Sequence, residues 1–346
     1  MKKEWKKQRR FRQQFAMLLQ KAMNKPLLQP PYTGPRDSVV LLAQEKYGDA
    51  ILLTPLIALL KEKCPGTAIH VVTFSKATCL FFLSDRNIDR VYCTKGNPWR
   101  YYREILGKRF DLLFNTKDHP STSFLMQSLI IRAGKKTGID SPYHRGIYDY
   151  LVDVDFQTPV ALKNCALLSI LGTSFRPEEC RPYIPEKSVS ETVRSFLDSM
   201  EERTCIGINI SAGGPTRYWT GENWQKLVEA FPDERFIVFS APGDLPEKHR
   251  LELQCQNIVR SPATANLYEA RLLVRKLRLL VTPDTALVHV ASCSGTPVLG
   301  LYGMAPQDQS RFRPLLIKSI MVVSPTALVS DIKPETVIAG TRELLA

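Results

Sequence analysis

Asp284, Thr285 and His289 lie close together in the segment Leu279–Gly303, LLVTPDTALVHVASCSGTPVLGLYG. It reads as a buried strand, a turn ending in Asp284, a helix running to about Ser294 and a second buried strand. Asp284 stands where a helix N-cap belongs, with Thr285 and Ala286 next. The open N–H groups of the helix start then face whatever lies beyond the strand end, which is where α/β proteins bind phosphate. Ala291, Ser292 and Ser294 are small enough to let the helix lie close to a sheet, and Gly295 suits a left-handed C-terminal cap. An Asp-Thr pair also serves as a simple cap. The complete strand–turn–helix–strand unit is what favours a ligand site.

Two other loops carry chemistry. Gly48-Asp49 follows the apolar run Val39–Ala43. Gly48 permits a tight turn and close backbone approach. Asp49 is either a cap or a carboxylate base for an attacking hydroxyl, a role that requires hydrogen-bond reach and a raised pKa. In Ser211–Trp219, Gly213-Gly214 offers backbone N–H groups, while Thr216 and Arg217 add a hydroxyl and a permanent cation. That set fits a diphosphate, because a guanidinium bridges two phosphate oxygens; a structural loop with a surface arginine is the alternative. Lys117 and His119, in Asn115–Pro120, follow a strand of the first half and are candidates for acceptor contact or a solvated loop. His70 reads as core, His144 and His249 as superficial. Asp153-Val154-Asp155 has a spacing that can hold a divalent metal but stands apart from these loops. Neither G-x-G-x-x-G nor a Walker A loop occurs.

Positioning these loops takes regularly alternating elements. Strands are expected at 39–43, 68–74, 91–94 and 111–115, with helices at 50–63, 98–106 and 121–133. After a proline-rich stretch, a second series has strands at 205–210, 236–241, 279–282 and 298–302. Its helices fall at 222–231, 266–277 and 334–346. Such alternation builds mostly parallel sheets with helices on both faces. Two α/β domains are expected, 37–185 and 186–346, with a cleft between them, preceded by a basic segment and Pro-rich linker, 1–36.

The chain of 346 residues suits two domains, and its 44% hydrophobic and 23% charged residues are those of a globular protein. No apolar run is long enough to span a membrane, and no signal peptide is recognisable, so a cytoplasmic location is expected. The eight cysteines are scattered singly, without metal-site spacing. Residues 1–36 hold ten cations against Glu4, so +9 of the net +13 lies there. Phe11, Phe15, Leu18, Leu19 and Ala22 recur at helical spacing among those cations. Three roles remain open for residues 1–30: a helix on an anionic bilayer surface, a helix packed on the body, or a basic arm for nucleic acid.

Four segments carry a family resemblance. PDTALVHVASCSGTPVLGLYG is similar to the signature Asp-(Ser/Thr)-Gly-x-x-His-x-Ala-x-x-x-Gly-x-Pro-x-x-x-x-Gly, and YGDAILLTPLIALLKEKCPG to an opening Gly-Asp followed by two prolines. RYWTGENWQKL stands where Lys-x-Trp-Pro and an acidic residue are usual, and Lys136-Thr137-Gly138-Ile139 resembles an Arg-x-Gly strand. From Val39 to Gly303 the chain thus resembles glycosyltransferase family 9, the ADP-heptose:lipopolysaccharide heptosyltransferases.

The resemblance implies a GT-B fold of two Rossmann-like, doubly wound halves, the first binding the acceptor and the second the nucleotide-sugar. It also implies that no metal or other cofactor is needed. Asp49 would be the general base, with Gly48, Lys117 and His119 on the acceptor side. Thr216 and Arg217 would bind the donor diphosphate; Asp284, Thr285 and Ala286 would meet the donor at the helix start, supported by His289. The donor implied is ADP-heptose and the acceptor a lipid-linked saccharide, reached from the inner face of the cytoplasmic membrane. Departures are Ala286 for Gly, Arg217 for Lys, Thr220-Gly221 for Pro and Met304-Ala305-Pro306 for Gly-Pro-Thr. The alternative is a GT-B-fold nucleotide-sugar-binding accessory protein with impaired catalysis, raised by Ala286 and the irregular 211–221 loop. Nucleic acid is not an expected partner, since the body lacks a reader motif.

Overall fold

The computed structural model describes the backbone of residues 2–96 and 98–346, and their side chains except those of residues 2–6 and Arg100. Lys2, Lys3 and Lys6, counted toward the basic segment, therefore have side chains outside the described residues. The chain divides into two compact units, Met1–Cys180 and Arg181–Ala346. The division falls a few residues before Pro185, because Arg181 already donates to the Leu316 carbonyl at 3.4 Å and Ile184 is buried.

The first unit is built on six parallel strands: β1 (Ser38–Ala43), β2 (Ala68–Thr73), β3 (Arg90–Cys93), β4 (Arg109–Asn115), β5 (Arg132–Ile139) and β6 (Tyr150–Val152). Their order is β3-β2-β1-β4-β5-β6. β1 is covered on both faces, which is why it reads as unbroken apolar sequence; Leu41 stands between Val71 and Phe114. The order reverses between β1 and β4, and such a switch point opens a ligand crevice at the carboxyl ends of the strands.

Three elements here differ from expectation. Residues 50–63 form two helices, α2 (Tyr47–Ile51) and α3 (Thr54–Lys63). Pro55 has no N–H for the Ile51 carbonyl, and the Thr54 hydroxyl donates to that oxygen instead at 2.7 Å. Arg132 and Ala133, expected to end a helix, begin β5. His144, expected at the surface, is fully buried. Its Nδ1 lies 2.7 Å from the Ile139 carbonyl, and burial pushes its pKa down.

The basic segment is part of this unit. Helix α1 (Lys2–Met23) buries Ala16 completely and packs Phe15, Leu19 and Met23 against the core around Val40, Phe124 and Tyr148. Gln13 donates to the Tyr143 hydroxyl at 2.7 Å, and Gln20 to the carbonyls of Pro142 and Arg145 at 2.6 and 2.9 Å. The following proline-rich stretch is not helical and is tied down by backbone bonds from Lys25 to Gly146, Leu28 to Asp149 and Tyr32 to Ile170.

The second unit has five parallel strands: β7 (Cys205–Asn209), β8 (Arg235–Phe239), β9 (Leu279–Pro283), β10 (Val298–Tyr302) and β11 (Ser319–Val323). Their order is β11-β10-β9-β7-β8, which places a switch point between β7 and β9. One core face gathers Ile206, Ile208, Trp219, Trp224, Val281 and Leu301. No helix of the described residues is long and apolar enough to cross a membrane.

Candidate active site

In the second unit, the loop after β7 and the helix after β9 are joined by one side chain. Asn209, buried at the last position of β7, donates from Nδ2 to the Ser211 carbonyl (3.1 Å), the Thr282 hydroxyl (2.9 Å) and the Thr285 hydroxyl (3.2 Å). Its Oδ1 accepts from the Ser211 N–H at 3.2 Å. Such a network leaves buried polar groups unsatisfied if its centre is removed.

Thr285, not Asp284, caps the helix Ala286–Ser294: its hydroxyl accepts from the Leu287 N–H at 3.3 Å. The N-cap expected at Asp284 is thus displaced by one residue. The buried Asp284 carboxylate lies 3.0 Å from Nη1 of Arg217, which also donates to the Asp284 carbonyl at 3.2 Å. On the other side, Nη2 of Arg217 lies 3.6 Å from Asp308 on the short helix Pro306–Arg311. The permanent cation expected for a diphosphate is present, held between two carboxylates.

Arg217 and Thr216 share a single 3₁₀ turn, Pro215–Arg217, with Thr216 exposed. A Cβ at Gly213 or Gly214 would meet no protein atom within 4 Å. This leaves the backbone of the loop open to approach there. Thr220 and Gly221, departures from the family pattern, have a local reason. The Thr220 hydroxyl caps the next helix by accepting from the Asn223 N–H at 3.2 Å, and a side chain at Gly221 would run into the Glu247 carboxylate.

His289 lies one turn into the helix, 3% exposed. Burial brings its pKa down to about 4, so the ring is neutral at pH 7 and brings no charge to a phosphate. Among the described residues its Nδ1 has no hydrogen-bond partner.

Asp244 is a candidate for the site that the sequence reading missed. Its carboxylate accepts from the hydroxyls of Ser211 (2.5 Å) and Tyr218 (3.1 Å), in the turn that follows β8. A carboxylate beyond the second strand is where dinucleotide-binding Rossmann halves hold a ribose hydroxyl.

In the first unit, Gly48 and Asp49 lie in α2, beyond the carboxyl end of β1. Asp49 is not the cap: Lys46 occupies that position, without a side-chain cap bond, and Asp49 is within the first turn. It is half-buried. Beyond the neighbouring β4, Lys117 lies 2.9 Å from Gln44 Oε1 and 3.0 Å from Glu45 Oε2, with its ammonium 5.1 Å from the centre of the Phe124 ring. His119 is half exposed, 3.2 Å from Asp118. Sequence reading also missed Lys163, which is almost fully buried and lies 2.8 Å from Asp118. A single lysine in the apolar stretch Pro159–Leu171 was the available signal. Asp153 and Asp155 are exposed, and Asp155 accepts from the Gln157 N–H at 2.6 Å. No group of three His, Cys, Asp or Glu that could hold a metal occurs among the described residues.

A model of glycosyltransferase family 9 (heptosyltransferase) matches residues 99–336. Lipopolysaccharide heptosyltransferase 3 of Escherichia coli K12 is 23% identical over 335 residues, 86% of this chain and 95% of that one. The lipopolysaccharide core heptosyltransferase OpsX of Haemophilus influenzae is 22% identical, covering 79% of this chain and 81% of its own. Among solved structures, a family 9 glycosyl transferase of Veillonella parvula has a TM-score of 0.73 at 20% identity, over 91% of this chain and 99% of that one. The E. coli heptosyltransferase WaaC with ADP has a TM-score of 0.67 at 14% identity, over 89% of this chain and 99% of its own. The fold is of the GT-B type, with two Rossmann-like α/β units. The chain is a glycosyltransferase and belongs to glycosyltransferase family 9, the heptosyltransferase family.

Proposed function

We propose that the enzyme transfers a heptose from ADP-heptose to a saccharide of a lipopolysaccharide core. The names of its relatives support the donor and acceptor classes. The observation that carries the reading is Arg217 held by Asp284 beside the start of the helix Ala286–Ser294, at the carboxyl ends of β7 and β9. A guanidinium and a helix start are two groups suited to a diphosphate.

In this reading the acceptor hydroxyl attacks the anomeric carbon of the donor while its proton passes to the Asp49 carboxylate. The new bond joins acceptor oxygen to anomeric carbon. The bond from that carbon to the phosphate oxygen breaks, and its electron pair leaves with ADP. Arg217, Thr216 and the helix start answer the charge that develops on the leaving group, so the step needs no metal. Asp244 is placed to accept from the ribose. Ala286 stands half-buried at the first helical position, where its Cβ narrows the space beside the sugar.

Helix α1 gives the enzyme a surface of its own. Phe11, Met17 and Leu18 are 58%, 54% and 64% exposed, among the exposed cations Lys7, Arg10 and Lys21. Apolar side chains set among cations are the composition of a helix lying on an anionic bilayer. We assign the enzyme to the inner face of the cytoplasmic membrane, where lipid-linked acceptors present their saccharides.

Thermal unfolding with a panel of nucleotide-sugars tests the donor. ADP-heptose at about 100 times its Kd adds about 2.7 kcal/mol to the folded state, and UDP-sugars at equal concentration add less. A flat response to every nucleotide-sugar would remove the transferase reading.

A further inference from the structure

The candidate donor groups of the second unit stand beyond the ends of three different strands. Asp244 follows β8, Thr216 and Arg217 follow β7, and the helix that starts at Ala286 follows β9. In the order β9-β7-β8, β7 is the middle strand. The outer two are therefore separated by two strand spacings, about 10 Å. Past the strand ends the backbone ladder stops, so side chains must set the distance between the loops.

One series of hydrogen bonds crosses that distance. Asp244 accepts from the Ser211 hydroxyl at 2.5 Å, and the same hydroxyl accepts from the Ala241 N–H at 2.7 Å, so Ser211 is fastened to the loop after β8. Asn209 grips Ser211 by both main-chain groups: its Oδ1 accepts from the N–H at 3.2 Å and its Nδ2 donates to the carbonyl at 3.1 Å. From there Nδ2 also reaches the hydroxyls of Thr282 on β9, at 2.9 Å, and Thr285, at 3.2 Å. Thr285 completes the series by accepting from the Leu287 N–H in the first turn of the helix.

The amide has only one orientation that serves all these partners. The Ser211 N–H must face an acceptor, which turns Oδ1 toward it and Nδ2 toward the two threonines. A hydroxyl or a carboxylate at this position could not donate and accept in the same pattern. Asn209 is 4% exposed, too buried to be a ligand contact. Its effect on a ligand passes through the groups that it holds.

We propose that Asn209 is a positioning residue of the donor site, setting the spacing between the Asp244 carboxylate and the helix start at Ala286. A nucleoside diphosphate presents its ribose hydroxyls and its phosphates at a separation limited by its own bonds. Where the two subsites are held at a matching separation, binding of one half makes binding of the other effectively intramolecular. Without the amide each subsite survives, but the spacing loosens and the advantage of linkage is lost. That the two subsites serve one nucleotide rests on the donor reading above, which ADP binding by the unaltered chain tests separately.

The full chain is titrated with ADP, adenosine and inorganic pyrophosphate, by calorimetry for the first and ligand-observed NMR for the two halves. Asn209→Ala lowers affinity for ADP about tenfold to a hundredfold. Adenosine and pyrophosphate, each using one subsite, stay within about twofold of their original affinities. Thr282→Val changes a fully buried residue of β9, keeps the side chain's shape and removes one acceptor of the amide. It produces a smaller loss of the same kind and carries the test if Asn209→Ala does not fold; Thr282→Ser restores ADP affinity. Unchanged affinity for ADP in the variants overturns the proposal. So does an equal fall for all three ligands, which is what a general loss of structure produces. Absence of ADP binding by the unaltered chain removes the donor reading and the role of Asn209 together, whereas normal ADP binding by both chain and variants removes only the role of Asn209.

Discussion

Arg217 meets Asp284 twice, through the carboxylate at 3.0 Å and the main-chain carbonyl at 3.2 Å. Two contacts on one guanidinium nitrogen fix its direction as well as its charge. Asp284 is thus a positioning residue for the cation. The expected consequence is that Asp284→Asn keeps the carbonyl contact but loosens the side chain, weakening donor affinity about tenfold. Titration with the intact nucleotide-sugar checks this, and unchanged affinity would show that Asp284 does not govern Arg217.

Asp308 holds the same cation from the other side, at the longer distance of 3.6 Å and with more exposure. A diphosphate arriving at Arg217 competes with that carboxylate. Asp308→Asn is therefore expected to tighten binding of the nucleoside diphosphate about threefold to tenfold, with the gain shrinking at high salt. Weaker binding in the variant would mean that Asp308 supports the ligand rather than competing with it.

Asp49 lies within the first turn of α2 and does not cap it. The effect of Asp49→Asn is expected on turnover: a loss of about 10²-fold to 10⁴-fold in kcat with donor affinity unchanged. Comparable loss of donor affinity would refute its role as base.

Buried His289 gives folding a pH dependence with a defined sign. Its pKa is about 4 in the folded protein against 6.5 when free, so between these values the unfolded chain carries the extra proton. Its contribution is fully present above pH 6.5 and is lost as the pH falls toward 4, at up to about 1.4 kcal/mol per pH unit. His289→Asn removes that slope. Urea unfolding of both proteins at pH 7 and pH 5 measures it; parallel losses in the two would show that the imidazole does not titrate this way.

The exposed face of α1 makes the fifth case. Phe11→Ser/Leu18→Ser alters side chains 58% and 64% exposed, gives up the stacking of Phe11 on Phe15 (ring centres 6.4 Å apart) and leaves Ala16, Leu19 and Met23 in place. Co-sedimentation with anionic vesicles is expected to fall about tenfold while unfolding temperature stays constant. Undiminished sedimentation would rule out this face as the contact.

The central strands and the loops they carry were legible because β1, β7, β9 and β10 are buried throughout or nearly so, and double burial writes itself as continuous apolar sequence. β6 has only three residues, and β11 shows Ser319, Met321 and Val323 to solvent, so neither leaves that signature. The candidate site was legible to the extent that it depends on strand–loop–helix order: the loops that carry Asp49, Arg217 and Asp284 were placed this way. Contacts distant in sequence were not. Nothing local distinguishes Asp308 from any first-turn acid, or Asn209 from any polar strand end, until the fold brings Arg217 and Thr285 to them. His144 was misplaced for the same reason, since its burial comes from packing with Tyr148, ring centres 5.1 Å apart.

Ala16 has no exposed surface, and the glutamine bonds on either side of it fasten α1 to the 142–145 loop. A helix fastened in this way is a mount and not a tether. Whatever surface receives Phe11 and Leu18 receives the first unit at a set height and tilt. For the lipid-borne acceptor proposed above, that standoff would set the length of sugar chain required, a ruler that no change in the catalytic residues can reset.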